Sequence, residues 1–280
     1  MGKHNKIHAS AELQKERTLD QFYTNQDIVV CCLDFLEAIV GKDGLEVHDL
    51  WIEPSAGTGA FLEHLPCPRL GIDLDPKHPE IIQGDFLSWE CPGDIESPIV
   101  VGNPPFGRNA NLALAFFNHA ARFAKRIALI VPRTFEKESL KRRLDAAFHL
   151  QGERVLPGES FSFQGQPYTV PTVFQVWERR ETARRSVSGP TTHPDFVFCK
   201  REEADFAIQR VGVRAGAVKP DFSKVADASH YFVKAVSMSP EDLAGIFERI
   251  DYTGVKYSTA GNPSVSKREL IALYEKTSEA

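Results

Sequence analysis

The tetrapeptide Asn103-Pro104-Pro105-Phe106 combines residue types that could do chemistry. It follows the apolar run Ile99-Val100-Val101, which is typical of a buried strand. Each proline fixes its own φ, lacks an N–H and disfavours the α conformation of the residue before it, so the carbonyls of this corner are not absorbed into a helix. An asparagine amide and a carbonyl can accept hydrogen bonds from an amine, and Phe106 can stack on a planar ring. The corner therefore indicates a site for an aromatic amine and favours methylation of that amino group.

Short apolar runs and helical patterns alternate from residue 50 onward, and these elements must position the corner. We predict strands over 50–53, 70–74, 99–101 and 127–131, and helices from about residue 60 and over 110–124 and 135–148. This alternation predicts a parallel, doubly wound sheet, closed by an antiparallel pair over 154–156 and 172–177 with a loop over 158–168. An earlier helix is predicted after Thr24, with Thr24 and Asp27 as a capping pair and Gly41 and Gly44 at its end.

Three further segments lie at predicted strand ends and could hold a nucleoside. The first is Glu53-Pro54-Ser55-Ala56-Gly57-Thr58-Gly59, where small residues allow a ligand to approach the backbone. It lacks the Gly-Lys-Ser/Thr of a phosphate loop and the third glycine of a dinucleotide fingerprint. Asp73 could bind ribose hydroxyls, Asp85 could accept from an adenine amine, and Phe86 could flank that ring. An aspartate after a strand is by itself more often a turn or cap residue, but together the segments indicate one ligand site at the sheet edge.

The order of these motifs resembles that of the S-adenosylmethionine-dependent N6-adenine DNA methyltransferases. The resemblance covers about residues 20–178 and rests on Phe22-Tyr23-Thr24, the segment 53–59, Asp73, Gly84-Asp85-Phe86 and the corner at Asn103. One departure is Asn25, where relatives often have proline. The resemblance implies a Rossmann-like methyltransferase fold of the α/β class, with a mostly parallel sheet and one antiparallel strand.

The resemblance also assigns the residues around S-adenosylmethionine. Tyr23 and Thr24 would lie near its methionine end, Asp73 would bind its ribose, and Asn103 would also contact the cofactor. The remaining assignments are Glu53, Ala56 and Gly57 at the methionine and ribose, and Asp85 and Phe86 at the adenine ring.

For the target base, the resemblance implies that Asn103 and the Pro104 carbonyl accept the two N6 hydrogens while Phe106 stacks on the ring. A duplex hides N6, so the base would have to be flipped out. Phe161 or Phe163 could be a second stacking platform, or could simply pack the segment in which they lie. Arg108 could contact a phosphate.

Composition and charge limit the alternatives. The 280 residues are 42% apolar and 25% charged, with a net charge of −5, so the chain is not a globally basic nucleic-acid binder. Residues 122–143 nevertheless carry eight basic and two acidic side chains, which could form a phosphate-binding surface or a solvated helix face. The five cysteines lack CxxC spacing and the nine histidines lack metal spacing, so we expect no structural zinc, no other metal site and no disulfide framework. We expect a cytoplasmic protein without signal peptide or membrane span.

The domain organisation is predicted from a change of pattern after residue 178. We expect a flexible segment over 1–20, the methyltransferase domain over 21–178, a linker over 179–194, and a small α+β target-recognition domain over 195–280. The last contains predicted strands over 196–199, 206–211 and 231–236 and two helices, beginning after Ser239 and Ser266.

The substrate is less narrowly indicated than the fold. DNA is favoured over RNA as the partner, and the oligomeric state is left open. A protein glutamine N-methyltransferase and a catalytically silent nucleic-acid-binding module are the other candidates. Phe106 suits a base better than an acyl amide, and the apparently complete cofactor motifs argue against the silent module.

Overall fold

The computed structural model describes residues 23–47, 49–163, 166–185, 190–259 and 262–278. It divides into two compact units, Met1–Ser186 and Val187–Ala280, and the division falls inside the segment predicted to be a linker. The beginning of that segment runs along the first unit, because the amides of Arg180 and Arg184 donate to the carbonyls of Ala147 and Ala146. The segment predicted to be flexible, 1–20, lies outside the described residues. None of the described helices is long and apolar enough to cross a membrane.

The first unit is built on a seven-stranded sheet with the order β4-β3-β2-β5-β6-β10-β7. Its strands are β2 (Leu50–Pro54), β3 (Arg69–Asp73), β4 (Ile81–Gln83), β5 (Pro98–Gly102), β6 (Arg126–Pro132), β7 (Phe148–Val155) and β10 (Thr172–Arg179). Strand β10 lies antiparallel between β6 and β7, and the other strands run parallel to one another. The predicted mostly parallel sheet with one antiparallel strand is confirmed.

Helices cover both faces of this sheet. They are α1 (Gln26–Val40), α2 (Lys42–Glu46), α3 (Asn111–Ala120) and α4 (Glu138–Lys141). Buried strand residues alternate between two cores: Val100 faces the core that contains α3, whereas Ile99 and Val101 face the core that contains α1. Both faces of β5 are therefore dry, which explains why its sequence is continuously apolar.

Two predicted helices are wrong. The chain after residue 60 forms only a 3₁₀ turn, Leu62–His64, because Gly59 before it has φ +83° and Leu65 after it precedes a proline, which disfavours the α region. Over 135–148 the chain forms a 3₁₀ turn (Arg133–Glu136) and the single-turn helix α4, separated by the extended residue Lys137. Phe148 already begins strand β7.

A small second sheet stands at the same end of the first unit as the corner. It has the order β1-β8-β9, formed by β1 (Tyr23–Thr24), β8 (Phe161–Phe163) and β9 (Gln166–Tyr168). The segment 158–168, predicted to be a loop, is therefore a hairpin, and β1 pairs antiparallel with its first strand.

The second unit is a four-stranded antiparallel sheet with helices on one face, so the predicted small α+β fold is confirmed. Its strands have the order β11-β14-β12-β13, and its elements are β11 (Phe196–Cys199), β12 (Phe206–Gln209), β13 (Val218–Lys219), β14 (His230–Ala235), α5 (Pro240–Arg249), α6 (Thr253–Lys256) and α7 (Lys267–Ser278). The predicted caps are present: Ser239 accepts from the amide of Asp242, and Ser266 and Glu269 accept from each other's amides.

Candidate active site

A cavity of about 580 Å³ opens at the carboxyl ends of β2, β3 and β5. This is the edge at which ligands bind in open α/β sheets, and the volume lies within the roughly 300–1,000 Å³ of small-molecule sites. Eleven of the residues singled out in the sequence line it: Tyr23, Thr24, Glu53, Ala56, Gly57, Asp73, Asp85, Phe86, Asn103, Pro105 and Arg108.

The turn after β2 is an unusual backbone structure. Ser55, Gly57 and Gly59 all have positive φ, at 56°, 52° and 83°. Such conformations are uncommon for a residue with a side chain, and their presence at Ser55 marks a strained turn of the kind often found at functional sites. The Gly57 amide donates to Asp73 Oδ2 at 2.8 Å, which anchors the turn to the end of β3.

Asp73 holds two loops together. Its side chain is 8% exposed, and Oδ1 accepts from the Asp75 amide at 2.7 Å while Oδ2 accepts from Gly57. An ionised carboxylate has about four lone-pair sites, so both oxygens keep acceptor capacity toward the cavity. The carboxylate can therefore shape the turn and bind hydroxyl groups at the same time.

Glu53 is buried and hydrogen-bonded to the backbone, which the sequence did not indicate. Its side chain is 3% exposed, Oε1 accepts from the Phe61 amide at 3.2 Å, and Oε2 accepts from the Leu62 amide at 2.7 Å. The carboxyl group thus caps the 3₁₀ turn Leu62–His64 from beneath. Burial raises the pKa of Glu53 to about 8, although the two amide donors oppose the shift.

Asp85 and Phe86 form the wall next to β4. Asp85 is exposed and caps the 3₁₀ turn Phe86–Ser88 by accepting from the Leu87 amide at 3.0 Å. Phe86 is 2% exposed and stacks on Phe116 of α3, with ring centroids 5.3 Å apart and an interplanar angle of 26°. Phe116 also lines the cavity, but its sequence position shows only that it belongs to the apolar side of a helix.

Asn103 is oriented by the small second sheet. Its Nδ2 donates to Thr24 Oγ1 at 3.2 Å, and Thr24 is held in place because β1 pairs with β8 at Phe161. The predicted Thr24–Asp27 capping pair is wrong: Asn25 is the N-cap residue of α1, and its side chain donates to the Glu159 carbonyl instead. Two hydrogen-bonding contacts thus tie the segment 24–25 to the corner and to the hairpin.

The remaining corner residues form its support. Pro104 is buried and Phe106 is half-buried, and neither lines the cavity. The ring of Phe106 meets Phe161 edge to face at 6.5 Å, and the Phe106 carbonyl accepts from the amides of Leu112 and Ala113 at the start of α3.

Phe161 and Phe163 are the two candidates for a second stacking platform. Phe161 is only 1% exposed, so its ring packs behind Phe106 and has no free face for a base. The side chain of Phe163 lies outside the described residues. The hairpin therefore supports Phe106 from behind through Phe161.

Arg108 lines the cavity and is exposed, whereas part of the basic stretch over 122–143 is engaged in ion pairs. Arg126 is buried and paired with Glu178 at 2.5 Å, and Arg133 is paired with Glu136 at 2.9 Å. Part of the stretch thus serves the packing of β6 and the turn after it. No group of three metal-ligating side chains lies together among the described residues.

The chain matches no protein-family model and no curated protein. Among solved structures it is similar to a candidate RNA methyltransferase from Pyrococcus horikoshii (16% identity, TM-score 0.45, covering 57% of this chain and 87% of the other). It is also similar to a magnesium protoporphyrin IX methyltransferase from Synechocystis, crystallised with S-adenosylmethionine (16% identity, TM-score 0.40, covering 60% of this chain and 84% of the other). A third similar structure is the N-methyltransferase NodS from Bradyrhizobium japonicum (12% identity, TM-score 0.39, covering 55% of this chain and 96% of the other). At such low identity the likeness is one of fold and bears on neither reaction nor substrate.

The strand order of the first unit, with its single antiparallel strand next to the edge, agrees with the Rossmann-like methyltransferase fold predicted from the sequence. The feature that sequence analysis missed is the pairing of β1 with the hairpin. A strand of two residues has no periodicity to detect, so only the apolar character of Phe161 hinted that the segment is packed.

Proposed function

We propose that the first unit transfers a methyl group from S-adenosylmethionine to the N6 amine of adenine in DNA. One observation carries the proposal: Asn103 lines the same cavity as Asp73 and the strained turn at Gly57. The proximity of these residues at one sheet edge supports a site that holds an amine next to a nucleoside.

The residues present fit the cofactor. Asp73 offers two carboxylate oxygens with remaining acceptor capacity, Gly57 adds no side chain, and Phe86 offers a buried aromatic wall next to the exposed carboxylate of Asp85. Asp73 would hold the ribose hydroxyls, and Asp85 and Phe86 the adenine ring. When bound, S-adenosylmethionine supplies a methyl group activated by its positively charged sulfur, so no metal, thiol or covalent enzyme intermediate is needed.

The corner acts on the amine. The N6 lone pair of adenine is delocalised into the ring, which makes this nitrogen a poor nucleophile. Asn103 Nδ2 donates to Thr24, so in this proposal the amide oxygen accepts one of the two N6 hydrogens. The resemblance assigns the second hydrogen to the carbonyl of Pro104, a residue that is buried and borders the cavity through its neighbours Asn103 and Pro105. Acceptance of both hydrogens favours a tetrahedral nitrogen and stabilises the positive charge that develops on it, which is stabilisation specific to the transition state.

Phe106, which lies outside the lining of the cofactor cavity, would stack on the flipped base next to that cavity. Its ring is fixed by the edge of Phe161 and by the two amides of α3 that bond its carbonyl, so stacking on it costs little side-chain entropy. Arg108, exposed at the cavity, is placed to contact a phosphate next to the flipped nucleotide.

The proposal is tested by transfer of labelled methyl from S-adenosylmethionine to duplex DNA, single-stranded DNA, RNA and protein, followed by nucleoside and amino-acid analysis. We expect the label in N6-methyladenine from DNA. Label in N6-methyladenine from RNA would establish the alternative polymer, whereas label in N4-methylcytosine or in glutamine would overturn the adenine assignment.

Thr24 is expected to act on turnover through Asn103. Thr24→Val keeps the shape of the side chain but removes the hydroxyl that accepts from Nδ2, and a neutral hydrogen bond is worth about 1 kcal/mol. We expect kcat to fall by about fivefold, with the dissociation constant of S-adenosylmethionine unchanged. Steady-state kinetics and calorimetry measure the two quantities.

Thr24→Ser is the matched control, because it restores the hydroxyl and should restore kcat. A rise in the dissociation constant of the cofactor in Thr24→Val, with kcat unchanged, would instead place the hydroxyl at the methionine end, as the resemblance implied.

A further inference from the structure

Two stretches of the second unit contain no acidic residue, 206–220 and 252–268. Together they carry six of the twelve lysines and arginines of this unit and none of its thirteen aspartates and glutamates. The unit as a whole has almost no net charge, so its charges are segregated along the chain. Such segregation produces a local positive field that the net charge conceals.

The fold brings these two stretches together. Val211 forms an isolated antiparallel bridge with Ser264, and the amides of Gly212 and Val265 donate to the carbonyls of Pro263 and Arg210 at 2.8 and 2.9 Å. The ammonium group of Lys256 donates to the Val213 carbonyl at 3.3 Å, which places it on the turn that carries Arg214.

A second contact joins the two stretches through Tyr231 of β14. The guanidinium of Arg210 lies 5.3 Å from the centre of this ring and the ammonium of Lys267 lies 5.6 Å from it. We call five side chains of these two stretches the basic face: Arg210, Arg214, Lys256, Lys267 and Arg268. The sixth basic residue, Lys219, lies apart from these contacts, in edge strand β13 opposite Ala207.

Two acidic residues, Asp251 and Glu269, adjoin the basic face. Asp251 precedes α6 and is close enough to Lys256 to interact with it, and the Glu269 carboxylate accepts from the Ser266 amide in the capping box. Arg214 and Lys267 are exposed. The face therefore presents at least these two cations to solvent, next to the half-buried Arg210, Lys256 and Arg268.

Aromatic and cationic groups are mixed on this face. Tyr257 is 42% exposed, and the ammonium of Lys256 lies 5.1 Å from the centre of its ring. Exposed aromatic rings among cations suit a nucleic acid, which offers both phosphates and stacking bases. An anionic membrane surface would call for a broader apolar face, and the exposed large apolar side chains here are Val213 and Tyr257.

We propose that the basic face binds the phosphate backbone of a nucleic acid, which makes the second unit a docking module for the polymer. This inference rests on the proposed function, because it names the surface that holds the same substrate. Its contacts are to phosphates, so it contributes affinity and salt dependence without reading base sequence.

The test compares two triple variants of the full chain. Arg214→Ala/Lys256→Ala/Lys267→Ala removes three charges from the basic face, and Lys200→Ala/Lys224→Ala/Lys234→Ala removes three exposed charges elsewhere on the same unit. Binding of a mixed-sequence DNA duplex, an RNA hairpin and phosphatidylserine vesicles is measured across salt concentrations. The slope of log affinity against log salt should become shallower by about 3 for the first variant on nucleic acid and stay unchanged for the control, because each phosphate contact contributes about 1.

Several results would overturn the proposal: an unchanged slope in the basic-face variant, an equal change in both variants, no nucleic-acid binding by the wild type, or loss of vesicle binding alone. Thermal unfolding checks that each variant is folded. If the basic-face triple variant does not fold, the double variant Arg214→Ala/Lys267→Ala, which changes only exposed side chains, replaces it. The comparison of the DNA duplex with the RNA hairpin identifies which polymer the basic face binds. If the labelled methyl group is found on protein and the salt slope still changes in the basic-face variant, the proposed function alone is refuted. If the methyl group is found on adenine and the salt slope is unchanged, the role of the basic face alone is refuted.

Discussion

Asn103→Ala is expected to lower kcat for methyl transfer by at least about 10³-fold, since a single preorganised polar group at a developing charge is worth 10² to 10³ and this residue also positions the base. In the proposed mechanism the amide oxygen accepts a hydrogen bond from the amine, because the amide nitrogen donates to Thr24. Cofactor affinity should survive, because Asp73, Gly57 and Phe86 hold their positions through contacts that do not involve Asn103. Single-turnover kinetics with labelled methyl and calorimetry measure the two effects separately.

Asn109→Gly is the matched control for this prediction. Asn109 is an exposed asparagine in the loop that follows the corner, it does not line the cavity, and its φ of 56° is a conformation that glycine tolerates. We expect this variant to keep full activity. Appreciable transfer by Asn103→Ala would show that the amide is only a structural cap of the turn.

Asp73→Ala should produce the second large effect, on cofactor binding. The carboxylate anchors Gly57 and Asp75 and would accept two ribose hydroxyls, and hydrogen bonds to a charged group are worth about 1.5–3 kcal/mol each. Loss of two such bonds corresponds to a dissociation constant for S-adenosylmethionine at least about 100-fold higher. Asp73→Asn, which retains one oxygen acceptor, should lie between the wild type and the alanine variant.

Asp75→Ala separates this role from a general effect on the loop. Asp75 lies two residues farther along, its side chain pairs with Lys77 at 3.0 Å, and it does not line the cavity. Cofactor affinity should be nearly unchanged in this variant. Equal losses at both positions in a calorimetric titration would mean that the carboxylates merely shape the loop and that the ribose is held elsewhere.

The parts of the fold that were predictable from the sequence are those set by local patterns. Strand β5 is continuously apolar because both of its faces are buried, and Ser239 and Ser266 cap helices through residues three positions away. The candidate site followed for a related reason: in a parallel sheet, residues that end successive strands meet at one edge. Gly57 and Asp73 are 16 positions apart in the sequence, yet the Gly57 amide donates a hydrogen bond to the Asp73 carboxylate.

The errors arose where a distant partner outcompeted a local one. Thr24 was assigned to a helix cap, but its hydroxyl lies against Asn103, and the cap position belongs to Asn25. Phe148 has the spacing of a helical residue and instead begins β7, buried against Phe117 and the sheet. Arg126 looked like part of a basic surface, but a buried pairing with Glu178 on the neighbouring strand accounts for it.

The pairing of β1 with β8 also has a consequence for how the protein comes into being. Tyr23 and Thr24 leave the ribosome among the first residues of the unit, but their partners Phe161 and Ser162 emerge only after strands β2 to β7 have been made. The pairing that holds Thr24 next to Asn103 can therefore form only after the hairpin has been synthesised. A chain that ends before β8 contains the Asn103 corner but lacks the strand that holds Thr24 in position.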